Sequence, residues 1–334
     1  MKNFRRLALL GTLLALCVVV LGAWVRLSDA GLGCPDWPGC YGQLTVPSEE
    51  SAIREANAAF PERPLEPVKA LREMVHRYFA GVLGLLVLAL AVLAWRNRRE
   101  PGQPLRLPVF LLGLIIAQAL LGMYTVTLLL KPVIVLAHLL GGLATLGLLA
   151  WLAMPSPARV TDSTNVRMLA VTGLFIVVIQ IALGGWTSAN YAALACPDFP
   201  TCQTQWWPPA DFGEGFVLWR GLGVDYEGGV LDNAARVAIH LTHRIGALVT
   251  SVFLVALSVM LLLRRGEPLL RLSGGFIAAI LAIQILVGVL MVVGGLPLTL
   301  ATTHNGVAAL LLLAIIGLNR AAWPGERGGA SISS

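Results

Sequence analysis

Four of the five histidines fall at matching places in two halves of one apolar chain. The first half runs Cys34-Pro-Asp-Trp-Pro-Gly-Cys40, His76-Arg77, Gln118-Ala-Leu-Leu-Gly122 and His138. The second runs Cys196-Pro-Asp-Phe-Pro-Thr-Cys202, His243-Arg244, Gln284-Ile-Leu-Val-Gly288 and His304. The offsets are 162, 167, 166 and 166 residues, which reads as the duplication of one unit. Ionisable side chains inside a membrane are costly and mark function by default. Neutral imidazole donates to a metal without importing charge. A pair of histidines in each half therefore suits porphyrin iron, a wide apolar ring held on its axis by His. Zinc matches less well, because no carboxylate or thiolate joins the histidines at ligand spacing.

The halves differ where a reaction would need them to. Glu73 precedes His76 by three residues and shares its helix face, whereas His240 occupies that place before His243. Glu73 is either an interfacial acid paired with Arg72 or Arg77, or an acid, base or cation-stabilising group beside a reacting ring substituent. His240 has the chemistry to ligate in place of His243, but the shared His-Arg dipeptide then goes unexplained. Arg77 and Arg244 either fork onto haem propionates or anchor their helices at the interface. Arg26 is a further propionate candidate without a basic counterpart, since position 188 is Ser. The two C-x5-C pairs lie in long outer segments, where close spacing and an oxidising compartment favour the local disulfides Cys34–Cys40 and Cys196–Cys202. These are structural staples or a redox couple. Cys17 reads as a small buried apolar residue, and Gln118 and Gln284 as interhelical hydrogen-bond formers.

With 57% hydrophobic and 13% charged residues, the elements that position these groups belong in a bilayer. Eight apolar runs are long enough to cross it: 7–25, 76–95, 107–130, 133–153, 168–187, 237–263, 272–294 and 298–318. The expected fold is an all-α polytopic membrane protein with eight transmembrane helices in two pseudo-symmetric four-helix bundles. Residues 1–154 form the first bundle and 168–320 the second, with 155–167 as a cytoplasmic linker and 321–334 as a cytoplasmic tail. The first run exceeds a signal peptide in length and lacks its cleavage site, so it reads as a retained helix. Lys2, Arg5 and Arg6 put both termini in the cytoplasm, where the inner segments hold 14 of the 24 Lys and Arg. The net charge of +6 thus describes topology and implies no nucleic acid. His76 opens its helix, and the other three histidines sit one or two turns inside theirs, all near the outer face. The two long outer segments span roughly 50 residues each by this reading. Glu49–Ala59 reads as a short surface helix.

These residues resemble the heme A synthase family, from Gly22-Ala-Trp-Val-Arg26 and Gly31-Leu-Gly-Cys-Pro-Asp-Trp-Pro38 through Glu73-Met-Val-His76-Arg77 to Thr303-His-Asn-Gly306. The resemblance implies a plasma (inner) membrane enzyme that oxidises the C8 methyl of haem O to the formyl of haem A. The methyl passes through an alcohol and an aldehyde hydrate, which loses water. It implies that His76 and His138 bracket substrate haem O with Glu73 beside the reacting edge. His243 and His304 would ligate a resident haem b that passes electrons. Cys34 and Cys40 become candidates for transfer or redox chemistry, a haem O synthase becomes the expected partner, and a homo-oligomer is compatible. The rival reading is a di-haem b quinol-oxidising cytochrome. It too needs four intramembrane histidines, but it gives no reason for the Glu73 asymmetry.

Overall fold

A computed structural model describes residues 2–155 and 164–323. Among the described residues, eight helices are long and apolar enough to cross a membrane: α1 (Lys2–Leu27), α3 (Pro67–Arg96), α4 (Arg106–Thr127), α5 (Pro132–Ala153), α6 (Thr164–Ala189), α8 (Asn233–Leu262), α9 (Pro268–Val293) and α10 (Leu298–Ala322). Two short helices, α2 (Glu50–Ala59) and α7 (Phe212–Gly215), lie in the connecting segments. No strand occurs among the described residues. The protein is an all-helical, multi-pass membrane protein. Most of the expected linker and tail, residues 156–163 and 324–334, lie outside the described residues.

Proline at the first helical position starts α3, α5 and α9, where its fixed φ is pre-organised and its missing N–H costs nothing. This corrects the placement of His76. Its helix begins at Pro67, so His76 lies more than two turns inside. The first turns are polar on one face, and an apolar run therefore underestimates the helix. For the same reason the long segments are shorter than expected, covering 28–66 and 190–232.

Helices α1, α3, α4 and α5 pack in a closed ring, as do α6, α8, α9 and α10. The rings meet where α1 lies on α10 and α5 on α6 and α10. Glycines allow these close crossings: a Cβ on Gly147 would meet Ile316, and one on Gly11 would meet Leu86 and Leu149. Large buried apolar side chains such as Leu90, Leu111, Leu149, Leu254, Leu261, Ile277, Ile315 and Leu318 fill the end of the molecule away from the histidines. Leu85, Phe110, Phe175, Val252 and Phe276 are exposed, as expected when lipid is the solvent. Cys17 belongs with them. It sits on the exposed face of α1 rather than in the core, because a small apolar residue faces hydrocarbon at no cost.

Candidate functional site

The four histidines come from α3, α5, α8 and α10, and each faces a glycine on the helix beside it. A Cβ on Gly22 would lie 3.0 Å from Cε1 of His76, and one on Gly122 would lie 3.4 Å from that of His138. A Cβ on Gly184 would lie 3.0 Å from Cε1 of His243, and one on Gly288 would lie 3.0 Å from that of His304. At Gly22, Gly184 and Gly288 even a methyl would crowd the ring, whereas at Gly122 it would reach near-ordinary contact. Within each half the histidines are electrostatic neighbours, His76 with His138 and His243 with His304. The Nδ1 atoms of His76, His138 and His304 are buried without a hydrogen-bond partner. No cluster of three His, Cys, Asp or Glu residues occurs among the described residues. Paired imidazoles, three of them with an unpartnered Nδ1 and all four backed by glycine, fit axial ligation of haem.

Above each histidine a disulfide turn is held down by the next residue. Cys34–Cys40 and Cys196–Cys202 are both bonded. Each closes a tight turn in which Cys40 pairs with Gln43 and Cys202 with Gln205 through reciprocal backbone hydrogen bonds. The residues between, Tyr41-Gly42 and Gln203-Thr204, all have positive φ. The aspartate of each Cys-Pro-Asp motif caps those strained amides. Asp36 accepts from Tyr41 N at 2.6 Å and Gly42 N at 2.8 Å, and Asp198 from Gln203 N at 2.6 Å and Thr204 N at 2.9 Å. Arg77 donates to the carbonyls of Asp36 and Gly39 at 2.9 and 2.5 Å. Arg244 donates to those of Thr201, Cys196 and Asp198 at 2.7 to 2.9 Å.

Glu73 and His240 share one position in this clamp. Glu73 Oε2 accepts from the backbone N–H of Cys34 at 2.9 Å, and its Oε1 is ion-paired with Arg77. His240 Nδ1 stands 3.3 Å from Cys196 N, and its Nε2 stands 3.2 Å from Arg244 Nε. Both side chains are buried. With partners at both ring nitrogens, His240 holds the loop, and His243 is the one set against the glycine. Glu73 pairs with Arg77 rather than Arg72, whose guanidinium lies over Trp24.

Arg26 crosses between the halves, where its Nη2 donates to the carbonyls of Ser188 and Ala189 and its guanidinium lies over Tyr191. The second outer segment also crosses. Asp225 and Glu227 pair with Arg63, Tyr226 N donates to Leu129 O, and Gly221 O accepts from Lys131. The first half is thus roofed partly by chain from the second. All three propionate candidates already donate to protein groups, although Nε of Arg26 is buried without a partner.

One residue at the site lies outside the landmarks that the two halves share. Gln180 of α6 donates from Nε2 to the backbone oxygen of His243 at 3.1 Å and approaches its Nδ1 at 3.1 Å. Its signal was present in Gln180-Ile-Ala-Leu-Gly184, a third copy of the Gln-x3-Gly pattern. The pattern is hidden because the first half has Val18 at the equivalent place before Gly22.

The chain is similar to known proteins over most of its length. A relative from Shewanella oneidensis named Heme A synthase is 44% identical over 323 residues, covering 95% of each chain. One of the same name from Caulobacter vibrioides is 28% identical over 88% of this chain and 89% of its own. Another, from Shouchella clausii, is 29% identical over 62% of this chain and 66% of its own. The COX15-CtaA family, described as cytochrome oxidase assembly protein, matches residues 5–316, and the chain belongs to it.

Proposed function

We propose that this protein is an oxidoreductase that converts haem O to haem A, the activity named for its relatives. The observation that carries the site assignment is the set of four glycine-backed imidazoles in two neighbouring pairs. His76 and His138, in the half comprising residues 1–154, bracket substrate haem O. His243 and His304, in residues 168–320, ligate a resident haem b. That group supplies one-electron chemistry when bound. The halves relate as pseudo-symmetric bundles, a reading supported by the two closed rings of helices.

The chain's own residues hold and shield. Glycine gives each imidazole room to stand upright against its neighbouring helix. The disulfide turns, fastened by Arg77 and Arg244, cover the sites from the loop side. Glu73 supplies the first half with a fixed carboxylate one turn from His76, where the second half has a neutral ring. We assign it to stabilise positive character, or to take the proton, at the C8 methyl as it is oxidised. Arg26, Arg77 and Arg244 remain candidates for the propionates through donors left over from their protein contacts. The end opposite the histidines carries Arg96, Arg98, Arg99, Arg264, Arg265 and Arg271. By the positive-inside rule that end and both termini are cytoplasmic, and the haem sites lie near the outer face of the plasma membrane. A haem O synthase is the natural supplier of substrate.

Pigment analysis of purified variants tests the assignment. His243→Ala or His304→Ala is expected to abolish the tightly bound haem b spectrum. His76→Ala or His138→Ala is expected to keep it and stop haem A formation. Loss of resident haem in the second pair of variants and not the first would reverse the halves.

A further inference from the structure

Four helices face the histidines with a residue placed four positions before the cradling glycine: Val18, Gln118, Gln180 and Gln284. They do not act alike. Gln180 Nε2 meets His243 Nδ1 at 3.1 Å, and Gln284 Nε2 meets His304 Nε2 at 3.2 Å. In the first half, no side chain among the described residues hydrogen-bonds His76 or His138. Gln118 is buried and packs instead against Gly141, and valine at 18 has no polar atom to offer. Beside His138 the amide fits, since Gly141 lies three residues beyond that histidine, but the Gln118 side chain makes no hydrogen bond to the ring; beside His76 the space is closed. Gly246, three residues beyond His243, is what lets the Gln180 amide approach, whereas Phe79 stands three residues beyond His76.

We propose that Gln180 and Gln284 are positioning residues that make the His243–His304 half the one that retains its haem. The His76–His138 half, without amide support, is left free to exchange. The proposal rests on the reading of the two halves given above and supplies a physical cause for it. A ligating imidazole works best when its other nitrogen is hydrogen-bonded, which fixes tautomer and ring orientation and raises donor strength. An amide serves either tautomer, since its NH2 donates and its oxygen accepts. The Oε1 atoms of Gln180 and Gln284 are both buried without partners, as is that of Gln118, but only Gln180 and Gln284 also meet an imidazole through Nε2. In these two the oxygen is therefore an accepting atom in reserve beside the imidazole. Turning the amide presents that oxygen to a ring N–H and releases the other nitrogen to iron. A resident cofactor needs such support through every turnover. A site that must admit haem O and release haem A works against it.

The test uses the full-length protein in detergent, with resident haem read by its absorption spectrum, its dissociation rate to apomyoglobin and its midpoint potential. Gln180→Met keeps the side chain's length and removes its hydrogen bonds. It is expected to speed haem b loss about tenfold, the lower end for lost outer-shell partners, and to raise the midpoint potential, because a weaker imidazole donor favours ferrous iron. Gln180→Glu, which keeps an accepting oxygen, is expected to restore retention. Gln284→Met repeats the effect if the first variant fails to fold, and Gln118→Met leaves the haem b potential unchanged. Unaltered potential and retention in both Met variants of the second half would overturn the proposal, as would an equal shift in Gln118→Met. A haem b spectrum that survives His243→Ala would instead sink the ligand assignment beneath it.

Discussion

Arg26 donates a hydrogen bond of 2.8 Å to the backbone carbonyl of Ser188, the residue that occupies its own place in the second copy of the repeat. The bond joins the end of α1 to the end of α6, where the last carbonyls of a helix lack an intrahelical i+4 donor and favour a cation. The side chain is 13% exposed. The duplicated unit thus holds its two copies together with a residue that only one copy has.

Arg26→Ala is expected to lower stability by about 1.5–3 kcal/mol, the range for hydrogen bonds to charged groups, with resident haem still bound. Thermal unfolding followed at the haem band checks this. Loss of haem at unchanged stability would assign Arg26 to a propionate instead.

Glu73→Gln separates chemistry from architecture. Gln still accepts from Cys34 N–H but loses the charge facing Arg77. The resident haem b spectrum is expected to survive while haem A formation falls about a hundredfold, in line with lost acid–base groups. Accumulated haem O or its alcohol would mark the blocked step. Wild-type turnover would leave Glu73 as the anchor of the first disulfide turn, matching His240 in the second.

The glycine cradles are graded. Gly184→Val places bulk at 3.0 Å from the His243 ring and is expected to expel haem b. Gly122→Ala, at 3.4 Å from His138, is near ordinary contact and is expected to spare most activity. Haem content of the two variants decides whether the glycines are spacers for the imidazoles.

Asp198 gives the second disulfide turn its response to acid. The Thr201 hydroxyl, with the amides of Thr204 and Gln203, holds its carboxyl below the usual aspartate range. A depressed value contributes stability above the unfolded pKa, near 3.9, and that stability is lost as pH falls through the lower folded value. Protection of the Gln203 and Thr204 amides should therefore persist at pH 5 and fail only well below pH ~4. Hydrogen exchange measures it, and Asp198→Asn should flatten the dependence.

The disulfides should map as Cys34–Cys40 and Cys196–Cys202 by mass spectrometry without reduction. Removing the second pair should cost about 2–3 kcal/mol, as expected for a short closed loop.

Local features of the chain were enough for the eight spans, the short helix at Glu50–Ala59 and both cysteine pairs. Each depends on runs or spacings within a few tens of residues, which hydrocarbon thickness and loop closure read directly. Helix starts were less legible, as at Pro67, because hydropathy reports burial in lipid and not where a backbone begins its hydrogen bonds. The equivalence of Glu73 and His240, the grip of Arg77 and Arg244 on the turn carbonyls, the bond from Arg26 to Ser188 and the contact of Gln180 with His243 required the tertiary structure. These contacts join residues about 40 to 160 positions apart and are made largely to backbone atoms, which carry no side-chain identity. A guanidinium meets a carbonyl because packing brings two helix ends together, and nothing in the identity of Ser188 announces that its oxygen will be needed.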